Sequence, residues 1–498
     1  MNKMKNGRII LKATLTNESP VGIGSGRDEH SDRDLVTTLY PMDNNCRILP
    51  PENITQAAFM KELPFIPATS FMGKIFRQFD EKECPEVKTL WGESELNASF
   101  IDCSDILLTE LPEYAKKNSC NPTEIRDGIR IDSSKGTVAN GAKFDYEVLG
   151  PGAKFDLTMI FRVEEHYDNY DIALKTASGI STIIANGFDL GAKSTVGFGR
   201  MKGDAGLFEL DFSNTSHVNQ WIANELTKNP KTPVTSAPTT KNQFEIIASF
   251  YIKNSLIIRS YSDDPNDPDS THLKSGGKNI LSGSSIKGAL RGRAERILNT
   301  IQHELEKTET IIAALFGDVE KEEDDKQKVK KNGYTVTSRV FVDEIVIEQE
   351  TIKEELQTRI QIDRFTGGTV DGALIEEMPL FPIKNPEKDL VQIKSFRIRV
   401  NDAQPTDKGL MLLLLKDLWT ADLPIGGEKS VGRGVLKGKS ATVSDNGKEF
   451  KFPDAFDKSV EMEALQIYVD ALNNLNNYSY YQNHVERFKN KKNDTRKQ

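Results

Sequence analysis

Lys193-Ser194-Thr195-Val196-Gly197-Phe198-Gly199-Arg200-Met201-Lys202-Gly203 has a counterpart at Lys429-Ser430-Val431-Gly432-Arg433-Gly434-Val435-Leu436-Lys437-Gly438. Glycines at this density suit a loop whose backbone approaches a partner closely, and the flanking Lys and Arg suit a phosphate backbone. Two copies of one unit carry two copies of its site at a fixed distance. A ligand that suits such an array is itself a repeating polymer.

Three further segments recur in the same order. Arg8–Leu15 and Phe244–Tyr251 read as strands by alternation and β-branching. Each leads into a polar loop, Gly22–Asp34 in the first copy and Ser262–Ser270 in the second. A small-residue turn then enters a basic helix, Phe65–Arg77 and Ile280–Arg293, with Thr69/Ser70 and Ser284/Ser285 as N-cap candidates. A helix N-terminus suits phosphate, and Lys74, Arg77, Lys287, Arg291 and Arg293 add charge there. Taken alone, a solvated basic face explains these residues as well. Leu90-Trp91-Gly92 and Leu315-Phe316-Gly317 follow, then strands Ala98–Cys103 and Ser338–Asp343. Last come Ile129-Arg130-Ile131-Asp132 closing at Glu147, and Ile360-Gln361-Ile362-Asp363-Arg364 closing at Glu377, both read as exposed hairpins.

At 498 residues the chain exceeds one compact core, and 37% hydrophobic with 28% charged residues fits a globular protein. A net charge of −9 argues against bulk attraction to nucleic acid but leaves room for a local basic groove. No apolar run is long enough for a membrane span, and a cytoplasmic location is expected. Cys46, Cys84, Cys103 and Cys120 form no CxxC pair, so free thiols and no zinc are expected. The expected organisation is a first domain over 1–212, a Pro/Thr/Ser-rich linker over 213–243, a second domain over 244–445, and a C-terminal helix with a frayed basic tail over 446–498. The run Glu320–Lys331 reads as a flexible charged insertion.

The order strand, Asp-containing loop, Ser-Ser-x-x-Gly-x-x-Arg, Leu-Phe-Gly, Ile-Asp-Arg-x-Thr-Gly, Gly-rich loop resembles the RAMP superfamily of CRISPR proteins. It is most similar to the backbone (Csm-three/Cas-seven-like) subunit of type III effector complexes. The resemblance spans roughly residues 8–203 and 244–438, and a tandem fusion is similar to type III-D variants. Leu281–Arg291 and Ile362–Gly367 stand near the family pattern. The first copy departs from it at Ala68-Thr69-Ser70-Phe71 and Asp132-Ser133.

The resemblance implies an α+β fold of two ferredoxin-like (RRM-like) palms, each with a protruding β-hairpin thumb. It implies CRISPR RNA, single-stranded target RNA and other type III subunits as partners, and no membrane. It further implies cleavage of target RNA by a loop Asp with Mg²⁺ or Mn²⁺, the metal being held by Asp32 or Asp269. Asp269 fits that place in the second copy; Asp32, with Asp34 close behind, fits it in the first. Turn chemistry explains loop aspartates equally well. His30 and His272 stand near these loops, and assistance in proton transfer is weighed against plain solvated histidines. The RNA-facing set is Lys74, Arg77, Arg130, Lys193, Arg200, Ser284, Ser285, Lys287, Arg291, Arg293, Arg364, Lys429 and Arg433. The alternatives are a purely structural RNA-binding backbone and a stand-alone CRISPR RNA processing endoribonuclease. A generic RRM reading lacks its aromatic motifs.

Overall fold

The structure is a computed structural model that describes residues 4–24, 39–41, 62–79, 86–92, 98–131, 137–226, 242–261, 266–302, 304–322, 331–385, 389–452, 460–475 and 477–495. The chain divides into two compact units, the first reaching Thr239 and the second formed mainly by Thr240–Gln498.

In the first unit, strand Gly7–Asn17 alternates buried Ile9, Leu11, Ala13 and Leu15 with more exposed Lys12, Thr14 and Thr16. It pairs antiparallel with Lys154–Val163 on one side and Arg200–Asp211 on the other. Ile101–Cys103 pairs with the far side of Lys154–Val163. Helices Ala68–Phe76 and Tyr170–Asn186 contribute Phe71, Ile75, Ala177 and Ile180 to the same apolar cluster as that strand. The chain order is therefore β-α-β-β-α-β with spatial order 4-1-3-2, a ferredoxin-like palm.

The second unit repeats it. Gln243–Ile252 lies between Ile393–Asn401 and Leu436–Asp445, and Val340–Val342 pairs outside Ile393–Asn401. Helices Gly283–Gln302 and Pro405–Trp419 supply the crossovers. The likeness extends to single hydrogen bonds. Phe100 N–H donates to Leu90 O at 2.8 Å, and Arg339 N–H to Leu315 O at 2.9 Å. The Oγ of Ser99 and that of Ser338 each bridge the same pair of carbonyls. Gly92 and Gly317 end the preceding helices, both at φ 84°.

The C-terminal segment differs from expectation. Lys448–Phe452 adds an edge strand to the second sheet. Helix Val460–Asn474 crosses so close to Gly409 that a Cβ there would lie 2.1 Å from Tyr468 O. In helix Tyr478–Thr495, Tyr481 is fully buried, because its ring completes the core. Its hydroxyl donates to Asp407 Oδ1 at 2.8 Å, while Arg339 Nη1 donates to Asp407 Oδ2 at 2.7 Å. Asp407 Oδ2 also accepts the Gln404 N–H, closing a capping box at the helix start. Among the described residues of this segment, Phe450, Phe452, Leu465, Leu472, Tyr481 and Val485 join the apolar core of the second unit. Likewise, the expected linker contains helix Thr215–Ile222, capped by Asn214. The charged insertion is flanked by paired strands Asp318–Glu322 and Lys331–Val336.

His272 is buried between strands. Its Nδ1 accepts Ile258 N–H at 3.2 Å and its Nε2 donates to Ile280 O at 2.8 Å. Burial pushes its pKa down to about 4.

Two outcomes follow from these buried groups. Asp407→Asn leaves the Arg339 charge buried without its counter-ion, so equilibrium unfolding of the second unit is expected to lose about 3–5 kcal/mol. His272 binds fewer protons folded than unfolded between its ordinary value and about 4. Its contribution is therefore complete above pH 6.5 and is lost as pH falls toward 4. A melting series across that window should show a shallower acid decline in His272→Gln than in the native chain.

Candidate nucleic-acid interface

The two Gly-rich loops share one backbone. Positive φ recurs at Gly191 and Gly426, at Lys193 and Glu428, at Gly197 and Gly432, and at Gly199 and Gly434. The matched positions are therefore Lys193 with Glu428 and Phe198 with Arg433. A Cβ at Gly199 would lie 1.8 Å from Leu190 O, and one at Gly434 1.8 Å from Ile425 O. These glycines are needed for the chain's own backbone: Leu190 N–H donates to Gly199 O at 2.8 Å, and Ile425 N–H to Gly434 O at 2.9 Å. The expectation that glycine serves partner approach does not apply at these two positions.

Each loop is joined to the root of a two-stranded hairpin. In the first unit the hairpin is Thr123–Ile131 with Val138–Leu149; in the second it is Gln357–Arg359 with Ile375–Met378. The bridges Val21–Leu149 and Leu256–Leu380 fix the correspondence. They place Tyr146, not Glu147, opposite Glu377 in the repeat.

The junctions are chemically unlike. In the first unit, Tyr146 and Phe198 are both buried with ring centroids 5.7 Å apart. Lys193 lies 4.1 Å from the Tyr146 centroid, and the Arg126 guanidinium 5.9 Å from that of Phe198. In the second unit the same places hold a charge lattice. Glu377, 1% exposed, accepts from Arg259 at 2.6 Å and from Arg359 at 2.9 Å, with Arg433 at 3.8 Å. Glu428 is paired with Arg359 and accepts Arg433 Nε at 2.5 Å. Arg433 also donates to Gln357 at 2.6 Å and Ser255 at 3.1 Å. Burial opposes ionisation of Glu428, but hydrogen bonds with Arg359, Glu377 and Arg433 outweigh it and hold its carboxyl below the usual range, while burial and the Glu428 neighbour push Glu377 up. Arg433, expected on RNA, is 3% exposed because its guanidinium closes this lattice.

Asp269 is exposed at the start of strand Ser270–His272. Its Oδ2 accepts the Glu376 N–H at 2.8 Å, because that strand runs parallel to Ile375–Met378 with Ser270 opposite Glu377. Oδ1 has no hydrogen bond among the described residues. Asp32, Asp34 and His30 lie outside the described residues. Buried, neutral His272 is unsuited to moving a proton at the surface. No group of three potential metal ligands occurs among the described residues. A single exposed carboxylate still fits Mg²⁺, whose shell is completed by waters and substrate phosphate oxygens.

The basic helices divide their charges between fold and surface. Ser282, not Ser284 or Ser285, caps Gly283–Gln302, accepting Ser285 N–H at 3.4 Å. Ser284 is exposed in the first turn and Ser285 half-buried. Lys287 is buried and donates to Ser338 Oγ at 2.7 Å; burial, with the Arg291 charge, pushes its ammonium down to about 7. Arg291 donates to Gly317 O at 2.7 Å and Arg293 to Asp417 at 2.6 Å. Arg296, which sequence reasoning passed over, is exposed. Partial desolvation, and after it the Arg296 charge, lower the pKa of Lys429, and neither Lys429 nor Arg296 has an ion-pair partner among the described residues. Spacing alone hides this pair, since the loop and helix are over 130 residues apart in the chain. In the first unit Pro67, rather than Thr69 or Ser70, precedes helix Ala68–Phe76, and Asp105 accepts the Ala68 N–H at 2.8 Å. Lys74 is half-buried and Arg77 exposed at the helix end. Arg200 donates to Asn186 O at 2.8 Å.

Both hairpins expose apolar side chains: Ile125, Ile129, Ile131 and Val138 in one, Ile360, Ile362, Phe365 and Leu374 in the other. Exposed Arg130 and Arg364 stand among them. Asp363 Oδ1 accepts the N–H groups of Phe365 and Thr366, both at 2.8 Å, which holds its carboxyl below the usual range. That turn leaves Phe365 99% exposed.

Among the described residues no helix is long and apolar enough to cross a membrane. No curated protein matches the chain. The family model described as RAMPs, RAMP superfamily, matches residues 14–202 and again residues 249–437. These spans coincide with the two palms and their loops, so the chain belongs to the RAMP superfamily, with two RAMP domains in tandem.

Proposed function

We propose that this chain is a backbone subunit of a type III CRISPR ribonucleoprotein, binding CRISPR RNA and cleaving complementary target RNA. Family membership supports a CRISPR-associated RNA-binding subunit. The observation that carries cleavage is Asp269, an exposed carboxylate with one oxygen fixed by a backbone N–H and the other open. It stands at the root of the hairpin that exposes Phe365 and Arg364.

Apolar and aromatic hairpin side chains suit contact with unstacked bases, and Arg130 and Arg364 suit phosphates beside them. A nucleotide splayed out of helical geometry can place its 2′-OH in line with its own 3′-phosphate. Asp269 Oδ1 takes the 2′-OH proton, the 2′-oxygen attacks phosphorus, the bond to the 5′-oxygen of the next nucleotide breaks, and that oxygen takes a proton from solvent water. The products are a 2′,3′-cyclic phosphate and a 5′-OH. A divalent cation held by Asp269 would supply charge neutralisation at the phosphate. Ser284, Lys429, Arg296, Arg77 and Arg130 are the surface groups proposed to hold the guide; Lys287, Arg293 and Arg433 support the fold behind them. His272 is buried, so it cannot serve as the general acid of a processing endoribonuclease.

The guide-loaded complex with target RNA and Mg²⁺ tests this. Asp269→Ala should remove one cleavage product while target binding persists, and Asp32→Ala or Asp34→Ala should remove another. An unchanged product pattern from all three would leave a purely structural backbone subunit. Lys429→Glu and Arg296→Glu should each weaken RNA binding and reduce the salt slope by about 0.7 per lost contact. Unchanged affinity would refute this pair as an RNA contact.

A further inference from the structure

The ion lattice of the second unit is not required to close the fold. The first unit closes the same junction with Tyr146, Phe198, Lys193 and Arg126. A buried ion network stabilises a protein no better than well-packed apolar groups of similar volume. What charged forks add is direction: a carboxylate bridging two guanidiniums is fixed in angle as well as distance.

The direction matters where Asp269 sits. Strand Ser270–His272 has three residues and Ile375–Met378 four, so few ladder bonds hold them. Glu377 occupies the middle of this short sheet, opposite Ser270 on one side and Gln357 on the other. Its side chain reaches Arg259 on one outer strand and Arg359 on the other. It therefore spans all four strands, Arg259–Ser260, Ser270–His272, Ile375–Met378 and Gln357–Arg359. The peptide N–H immediately before it, that of Glu376, is the hydrogen bond that fixes the Asp269 carboxylate. Successive residues of a strand face opposite ways, so the lattice lies on one face and the Asp269 bond is set from the same backbone.

We propose that Glu377 is a positioning residue for Asp269: bridged between Arg259 and Arg359, it holds the backbone whose Glu376 N–H aims the Asp269 carboxylate. The role rests on the cleavage reading above. Glu377 touches no RNA; it acts through the strand.

The test uses the guide-loaded complex, single-turnover cleavage at saturating target, and target affinity measured separately. Glu377→Gln keeps size but removes the charge and leaves one acceptor oxygen for two guanidiniums. Arg359→Lys, a milder change on the half-exposed side, loses the fork and keeps the charge. Both should slow the Asp269-dependent product between about ten- and a hundredfold, with affinity for target and the other cleavage products unchanged. If Asp269→Ala removes that product but both lattice variants cleave at the native rate, the inference falls and the cleavage reading stands. The inference also falls if the rate drops only in proportion to lost affinity, because that is the signature of a merely structural role. If Asp269→Ala leaves the product intact, both fall together.

Discussion

Each palm depends on a backbone clasp between its Gly-rich loop and the segment just before it. Gly199 and Gly434 approach Leu190 and Ile425 so closely that no side chain fits. The clasp continues through Gly199 N–H to Pro20 O and Gly434 N–H to Ser255 O, both at 2.7 Å. It pins the loop to the exit of the first strand, and the side chain between the glycines, Phe198 or Arg433, is driven inward onto the hairpin root. Loop, first strand and hairpin are thereby one rigid corner. Of the surface groups proposed to meet RNA, Lys429 stands in such a loop and Arg130 on such a hairpin.

One corner is aromatic and the other ionic, on the same backbone. An aromatic junction tolerates small shifts, since dispersion and cation–π attraction vary gently with position. A lattice of three guanidiniums and two carboxylates does not, because breaking any arm strands a buried charge. In the unit with the unforgiving junction, the loop carboxylate of Asp269 is seated on the hairpin's backbone.

Much of this was legible in the chain. Repetition of the Gly-rich segment, the Leu-aromatic-Gly helix ends and the Ile-Asp segments is local, and each has a local physical cause. Gly92 and Gly317 end helices at positive φ, and Asp363 builds a turn from its own neighbours. Arg433 and Lys287 could not be placed this way. A basic residue beside glycines reads as phosphate-facing, and only the fold reveals Glu428, Gln357 and Ser255 gathered around Arg433. The C-terminal helix misled for the opposite reason: its basic end looks solvated, while Tyr481, well before it, fills the core.

The sequence by itself determined that there are two copies, the order of their elements, and the family to which they belong, because those rest on periodicity and short-range turn chemistry. The tertiary structure decided which charges are spent inside and which face outward. Burial and pairing are set by residues over a hundred positions apart, as with Arg259 and Glu377. It also decided that Glu377 matches Tyr146, since only the backbone bridges fix that register.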